Sequence, residues 1–220
     1  MSMEKGQLSI HTENFLPIIK KWLYSDRDIF IRELISNCCD AVAKRRMVGQ
    51  IPDDYQPRVT VRVDKEHRIL SFTDNGVGMT AEEVRKYINQ VAFSGANDFM
   101  EKYKDSGEQI IGHFGLGFYS AFMVADKVRI DTLSCLPDAK AVCWESDGSV
   151  EYTMEETERE EVGTTVTLYL NNESDEFLDG NTVKSTIRKY CSFMPTPIYC
   201  EVAEDEKKHE HDHEDGCECG

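Results

Sequence analysis

The sequence predicts an α+β two-layer sandwich, with helices packed on one face of a sheet. Three observations carry this. A long segment from about Asp28 to Met47 places apolar residues at helical spacing. A second helical stretch, Thr182 to Phe193, stands near the other end of the chain. Between them lie β-branched, alternating segments separated by short polar turns. No internal repeat is visible.

In order, Gln7 to His11 reads as a short strand before Thr12, a helix cap for Phe15, Ile18, Ile19, Trp22 and Leu23. Ser25-Asp26 restarts a helix whose stripe Ile31, Ile35, Cys38 and Val42 faces a core. Glu33, Asn37 and Asp40 lie nearly opposite, with Phe30, Leu34 and Ala41 beside them. Gly49-Gln50-Ile51-Pro52 ends this helix. Arg58 to Asp64 and Arg68 to Thr73 alternate as strands around a tight polar turn. The segment DNGVGM (Asp74 to Met79) follows, and a helix opens at Thr80. Phe93 to Gln109 has weak periodicity and reads as a mobile segment. GHFGLGFYSAF (Gly112 to Phe122) is a glycine-rich turn opening a short apolar helix. Strands are predicted at 127–133, 139–145, 150–154 and 164–170, and a last one near 197–202 after the second helix.

Composition bounds the function. With 25 Lys+Arg against 41 Asp+Glu, the net charge of −16 argues against passive nucleic-acid binding, where phosphate neutralisation supplies most of the affinity. No apolar run reaches the roughly eighteen residues of a membrane span, and the N-terminus lacks the apolar core of a signal peptide. A cytoplasmic protein without membrane or nucleic-acid partner is expected. The eight cysteines are then reduced thiols serving as small core residues. From about Glu204 the composition changes to EDEKKHEHDHEDGCECG, too polar to fold. The expected organisation is a domain over 1–203 and a disordered acidic tail over 204–220, read as a linker. His209, His211, His213, Cys217 and Cys219 could take zinc, nickel or copper there, although their spacing is compositional rather than that of a closed site. His11 and His67 read as surface or turn residues, and His113 as a hinge residue.

Three motifs carry chemistry. Glu33, Asn37 and Asp40 on one helical stripe could hold a hydrated cation and activate a water, or form a solvated face. Asp74, at a strand end, is acceptor-only when ionised and suits an exocyclic amine such as that of adenine. Gly76 and Gly78 permit close backbone approach, and Met79 can pack on a ring. The alternative for this hexapeptide is an Asx turn closing the strand. Gly112, Gly115 and Gly117 open a helix whose free N–H groups form an anion site, or serve as a hinge. Neither the Walker loop nor a forward GxGxxG is present. Together the three motifs make a complete nucleotide site.

These motifs in this order resemble the Bergerat nucleotide fold of gyrases, histidine kinases, MutL-type repair proteins and heat-shock protein 90 chaperones. YSDRDIFIRELISNCCDA together with GHFGLGFYSAF closely resembles the heat-shock protein 90 family, and the similarity covers nearly all of residues 7–202, including GTTVTLYL and KYCSFMPTPIYCEV. The resemblance implies a mixed, mostly antiparallel sheet of about eight strands and an ATPase taking ATP/ADP and Mg2+. It implies Glu33 as general base for the attacking water, Asn37 as the magnesium residue and Asp40 in the pocket wall. Asp74 would accept from the adenine amine, partly through water held with Thr164 and Gly78, and Met79 would pack the base. Gly112, Gly115, Gly117 and Phe118 would lie along the phosphates, under a lid of about 93–117. The segment before Phe15 would be exchanged between protomers. The implied partners are adenine nucleotide and unfolded client proteins, with a homodimer in the full-length protein and a monomeric fragment here.

Two departures stand out. In YINQVAFSG, Tyr87 replaces the family's usual Asn and Phe93 its usual Lys, removing a cationic contact near the ligand; Asn89 is the nearest substitute amide. The family's middle domain supplies an Arg to the γ-phosphate, and the chain ends before it. A fragment that binds nucleotide well and hydrolyses it weakly is therefore expected. The alternatives are another ATPase of the same fold, of histidine-kinase or MutL type, or a non-hydrolysing nucleotide sensor.

Overall fold

The computed structural model describes residues 3–7, 27–48, 51–90, 117–149 and 151–203. Helix α1 (Ile29–Val48) is followed by strands β2 (Val59–Asp64) and β3 (Ile69–Asp74), which come after the edge strand β1 (Glu4–Gln7). Next are a single-turn helix α2 (Ala81–Val84), a π turn (Arg85–Gln90) and a 3-10 turn (Gly117–Met123). Strands β4 (Ala125–Leu133), β5 (Ala141–Ser146), β6 (Glu151–Thr157) and β7 (Gly163–Leu170) lead to helix α3 (Gly180–Cys191) and strand β8 (Ile198–Val202).

Among the described residues the strands form one sheet of eight in the order β1-β6-β5-β4-β7-β3-β2-β8. Every neighbouring pair is antiparallel except β2 and β8, which run parallel. This is the expected mixed, mostly antiparallel α+β sandwich. Period-two alternation gives the sheet two unlike faces. Val128, Ile130, Val166, Leu168, Leu70 and Phe72 are buried in the apolar core. Their neighbours on the other face are polar: Arg129 pairs with Asp131 at 2.7 Å, and Lys127 with Glu145 at 3.2 Å.

Helix α1 is the central element of the helical layer. Phe30 stands edge-on to Phe72 of the sheet (centroids 6.3 Å apart) and to Phe177 (4.9 Å). Phe30, Ile31, Leu34, Ile35, Cys38, Cys39 and Val42 are all buried. The buried surface is thus wider than the stripe Ile31–Ile35–Cys38–Val42, because α1 packs on the sheet, on α3 and on the 3-10 turn at once. Cys38 and Cys39 diverge as expected, and all six cysteines among the described residues are free thiols.

Several element boundaries differ from the sequence reading. Helix α3 begins two residues before Thr182, because the Asp179 carboxylate accepts from the Asn181 and Thr182 N–H groups and caps it. It ends at Cys191, so Phe193 lies beyond it and is fully exposed. Among the described residues a strand occupies Glu4–Gln7, paired with β6, and residues 8–11 of the expected first strand lie outside the described residues. The helix from Thr80 starts with a capping box between Thr80 and Glu83 but turns into the π segment after Val84. That segment is fastened at its end: Tyr119 O–H donates to the Ile88 carbonyl at 2.5 Å, and the Trp144 indole N–H to Asn89 Oδ1 at 3.1 Å. Asn89 is therefore buried against Trp144. His67 is the predicted turn residue, bonded to Asp64. The expected helix 12–23, the lid apart from Gly117, His113 and the tail 204–220 lie outside the described residues.

Candidate functional site

The site is built where the C-terminal half of α1 meets the end of β3. The β3–β7 register sets Asp74 opposite Thr164. Immediately after it, the Gly76 N–H donates to Asp74 Oδ1 at 2.8 Å. The Asx turn and the buried acceptor, alternatives in the sequence, are one structure: one carboxylate closes the turn and keeps acceptor capacity. The turn is pressed onto α1, where the Val77 N–H donates to the Ala41 carbonyl at 3.0 Å. Asn75 faces away and holds residues 55–58: its amide donates to the Gln56 carbonyl (2.6 Å), and its Oδ1 accepts from the Arg58 N–H (3.0 Å).

Asp74 is 4 % exposed. Burial raises its pKa to about 6, against the downward pull of the Gly76 N–H, the Cys38 thiol, the Arg159 guanidinium and the Thr164 backbone. An acid so placed is ionised at neutral pH at a substantial desolvation cost. Such a group marks a functional-site candidate.

The other side of the turn is set by glycine geometry. Gly78 has φ +64°, and a Cβ there would drive into the Leu133 carbonyl, so only glycine allows this approach to the end of β4. Met79, half-buried against the core, donates its N–H to Thr132 Oγ1 at 2.9 Å. Thr132 also meets Thr164 Oγ1 at 2.9 Å and the Gly163 carbonyl at 3.2 Å. One buried hydroxyl thus ties together Met79, Gly163 and Thr164.

Glu33 is buried, 8 % exposed, rather than part of a solvated face. Its Oε1 is paired with Arg32 Nη2 at 2.6 Å. Its Oε2 lies where a Cβ on Gly117 would come within 2.6 Å, so the glycine admits the carboxylate. Asn37 and Asp40, on later turns of α1, are exposed. Phe118 turns its ring into the core, edge-on to Trp144 at 5.8 Å.

The fold therefore brings Asp74, Gly78, Met79 and Thr164 into one cluster and sets Glu33 against Gly117. Gly112 and Gly115 lie outside the described residues. Sequence reasoning missed Cys38, Thr132 and Arg32 as contributors. Arg32 is adjacent to Glu33 and was findable; Cys38 and Thr132 reach the site only through non-local packing. Among the described residues no group of three or more His, Cys, Asp and Glu could hold a metal ion. The exposed Asn37 carboxamide fits a cation that keeps most of its waters, as magnesium does.

The chain matches the model of the histidine kinase-, DNA gyrase B-, and HSP90-like ATPases over residues 25–173. It is 50 % identical over 198 residues to the chaperone protein HtpG of Bacteroides fragilis, covering 89 % of this chain and 29 % of that protein. The HtpG of Porphyromonas gingivalis is 48 % identical over 199 residues, 89 % of this chain and 29 % of the relative. That of Desulfitobacterium hafniense is 39 % identical over 206 residues, 90 % and 34 % respectively. The chain thus spans about a third or less of the length of these relatives.

Proposed function

Because the chain belongs to the family of histidine kinase-, DNA gyrase B-, and HSP90-like ATPases, we propose that it is the ATP-binding domain of an HtpG-like chaperone, with Asp74 as the adenine acceptor. The observation that carries this is the Asp74 carboxylate: buried, closing its own turn, and left with acceptor capacity beside Gly78, Met79 and Thr164. Burying a carboxylate whose pKa rises to about 6 costs stability, and an N–H-donating ligand offsets that cost. The adenine amine is such a donor. Protonation at lower pH converts Asp74 into a donor and weakens the contact, so binding falls as pH drops through about 6.

Around this anchor, Met79 packs the base, and Gly78 and Thr164 hold water against it. Asp40 contributes to the outer wall. Gly112, Gly115, Gly117 and Phe118 offer backbone to the phosphates, under a lid over about 93–117. Asn37 would hold magnesium, which supplies charge neutralisation to the phosphates when bound. Glu33 orients the attacking water and accepts its proton; release of Oε1 from Arg32 is what frees it to do so. Developing charge on the transferring phosphoryl group calls for a further cation beside these residues.

At the level of the whole protein, we assign ATP-driven clamp changes in a cytoplasmic homodimeric chaperone that responds to stress and acts on unfolded client proteins. The names of the relatives, chaperone protein HtpG, support the chaperone part of this reading. No helix among the described residues is long and apolar enough to cross a membrane. Among the described residues, nothing in the site favours a kinase or a repair ATPase. Calorimetric titration of the chain and of Asp74→Asn with ATP, ADP and GTP tests the proposal. Adenine-selective binding that Asp74→Asn abolishes is expected; equal ATP affinity in the variant would overturn it.

A further inference from the structure

We propose that Arg45 is a positioning residue for the nucleotide site: together with Tyr55 it holds the peptide plane between Asn75 and Gly76, and so aims the Gly76 N–H at Asp74. This deepens the reading of Asp74 as the adenine acceptor and rests on it.

The chain of contacts is short. Arg45 Nη1, from the C-terminal turns of α1, donates to the Asn75 carbonyl at 2.7 Å. The Tyr55 hydroxyl donates to the same oxygen at 3.0 Å. The peptide bond that carries this oxygen also carries the Gly76 N–H, which donates to Asp74 Oδ1 at 2.8 Å. A peptide unit is planar, so its carbonyl and its N–H turn together. Two donors that fix the carbonyl therefore fix the direction of the N–H at the other end of the plane. They also polarise the amide and strengthen its N–H as a donor. Arg45 thus acts on the carboxylate through one peptide unit.

The arrangement carries a cost that packing does not explain. Arg45 is 7 % exposed, and its guanidinium lies over the Tyr55 ring, 4.7 Å from the centroid. Among the described residues no carboxylate pairs with it, and its Nε has no hydrogen-bond partner. A buried cation held by a neutral carbonyl and an aromatic face destabilises a fold relative to an apolar side chain of similar length. Local rules are broken in this way where function takes precedence over stability. The oxygen that Arg45 holds belongs to the turn after β3, and that turn carries Asp74 and Gly78. The Asn75 side chain secures the other half of the clamp, its amide donating to the Gln56 carbonyl beside Tyr55 at 2.6 Å.

This cost gives the role a signature, because affinity and stability respond in opposite directions. Methionine and lysine fill similar space at position 45, but only lysine keeps a cationic donor for the carbonyl. Three measurements on the 220-residue chain test the role: ADP affinity by calorimetry, urea stability without nucleotide, and the Gly76 amide proton resonance of the isotope-labelled protein. Arg45→Met should lower ADP affinity about three- to tenfold while leaving the urea midpoint at or above the wild-type value. The Gly76 resonance should move upfield as its bond to Asp74 loosens. Arg45→Lys should bring affinity back to within about threefold of wild type. Tyr55→Phe deletes only a hydroxyl and so carries the test independently of how a methionine packs; its affinity should fall about two- to fivefold. ADP affinities within about twofold of wild type in both Arg45→Met and Tyr55→Phe would overturn the assignment. So would a loss of affinity matched by an equal loss of urea stability with the Gly76 resonance unmoved. Absence of ADP binding by the wild type would instead overturn the nucleotide reading itself, and the Gly76 resonance would still decide whether Arg45 orients the peptide.

Discussion

Replacing Asp74 by Asn should strengthen the ligand-free fold while destroying its binding function. In the folded chain the Asp74 pKa is raised from 3.8 to about 6, with burial the largest cause. Between those values the folded state holds more protons than the unfolded one. Stability therefore declines as pH rises through that window and remains lower above it. A shift of two units is worth about 3 kcal/mol at neutral pH. Asn keeps an acceptor oxygen for the Gly76 N–H and, like the protonated acid, brings no charge into the buried site. The expected gain is thus up to about 3 kcal/mol at pH 8, shrinking towards zero near pH 4, where the wild-type carboxyl is already neutral. Urea denaturation at pH 4.5 and pH 8, without nucleotide, measures it, and calorimetry with ADP at pH 8 measures the loss of binding. A variant less stable than wild type at pH 8, or a difference independent of pH, would refute the reasoning.

Three further outcomes follow from the same geometry. Gly117→Ala places a methyl 2.6 Å from Glu33 Oε2, so the carboxylate swings away; single-turnover phosphate release should fall about a hundredfold with ADP affinity little changed. Thr132→Val orphans the half-buried Met79 N–H and removes the Thr164 contact, costing about 1–3 kcal/mol in urea denaturation and weakening ADP binding together. Phe30→Ala removes the ring wedged between Phe72 and Phe177 and should cost about 3–5 kcal/mol, read as a lowered denaturation midpoint.

Much of this molecule was legible in the chain because its signals are local. Alternation marked seven of the eight strands to within a few residues, and apolar spacing marked α1 almost to its ends. Gly78 announced a backbone constraint, and its φ of +64° supplies the reason. What escaped the sequence is non-local. The parallel pairing of β8 with β2 closes a sheet whose order no run of residues encodes. Glu33 looked like a solvated side chain because the surface that covers it, Gly117, lies 84 positions away in the chain. Cys38 and Asp74 meet only after α1 docks on the sheet, and Thr132 unites Met79 and Thr164 only in the β4–β7 register. The π turn after Val84 carries no periodic signature over its six residues.

The clasp of Asn89 by the Trp144 indole has an optical consequence. The chain contains two tryptophans, Trp22 and Trp144. Trp144 is wholly buried, its ring edge-on to Phe118 and its N–H bonded to the last turn before residue 91. With Trp22 changed to Phe, the emission of Trp144 becomes a built-in gauge of that junction: blue while the indole stays sealed, and shifting red whenever Asn89 lets go and water reaches the ring.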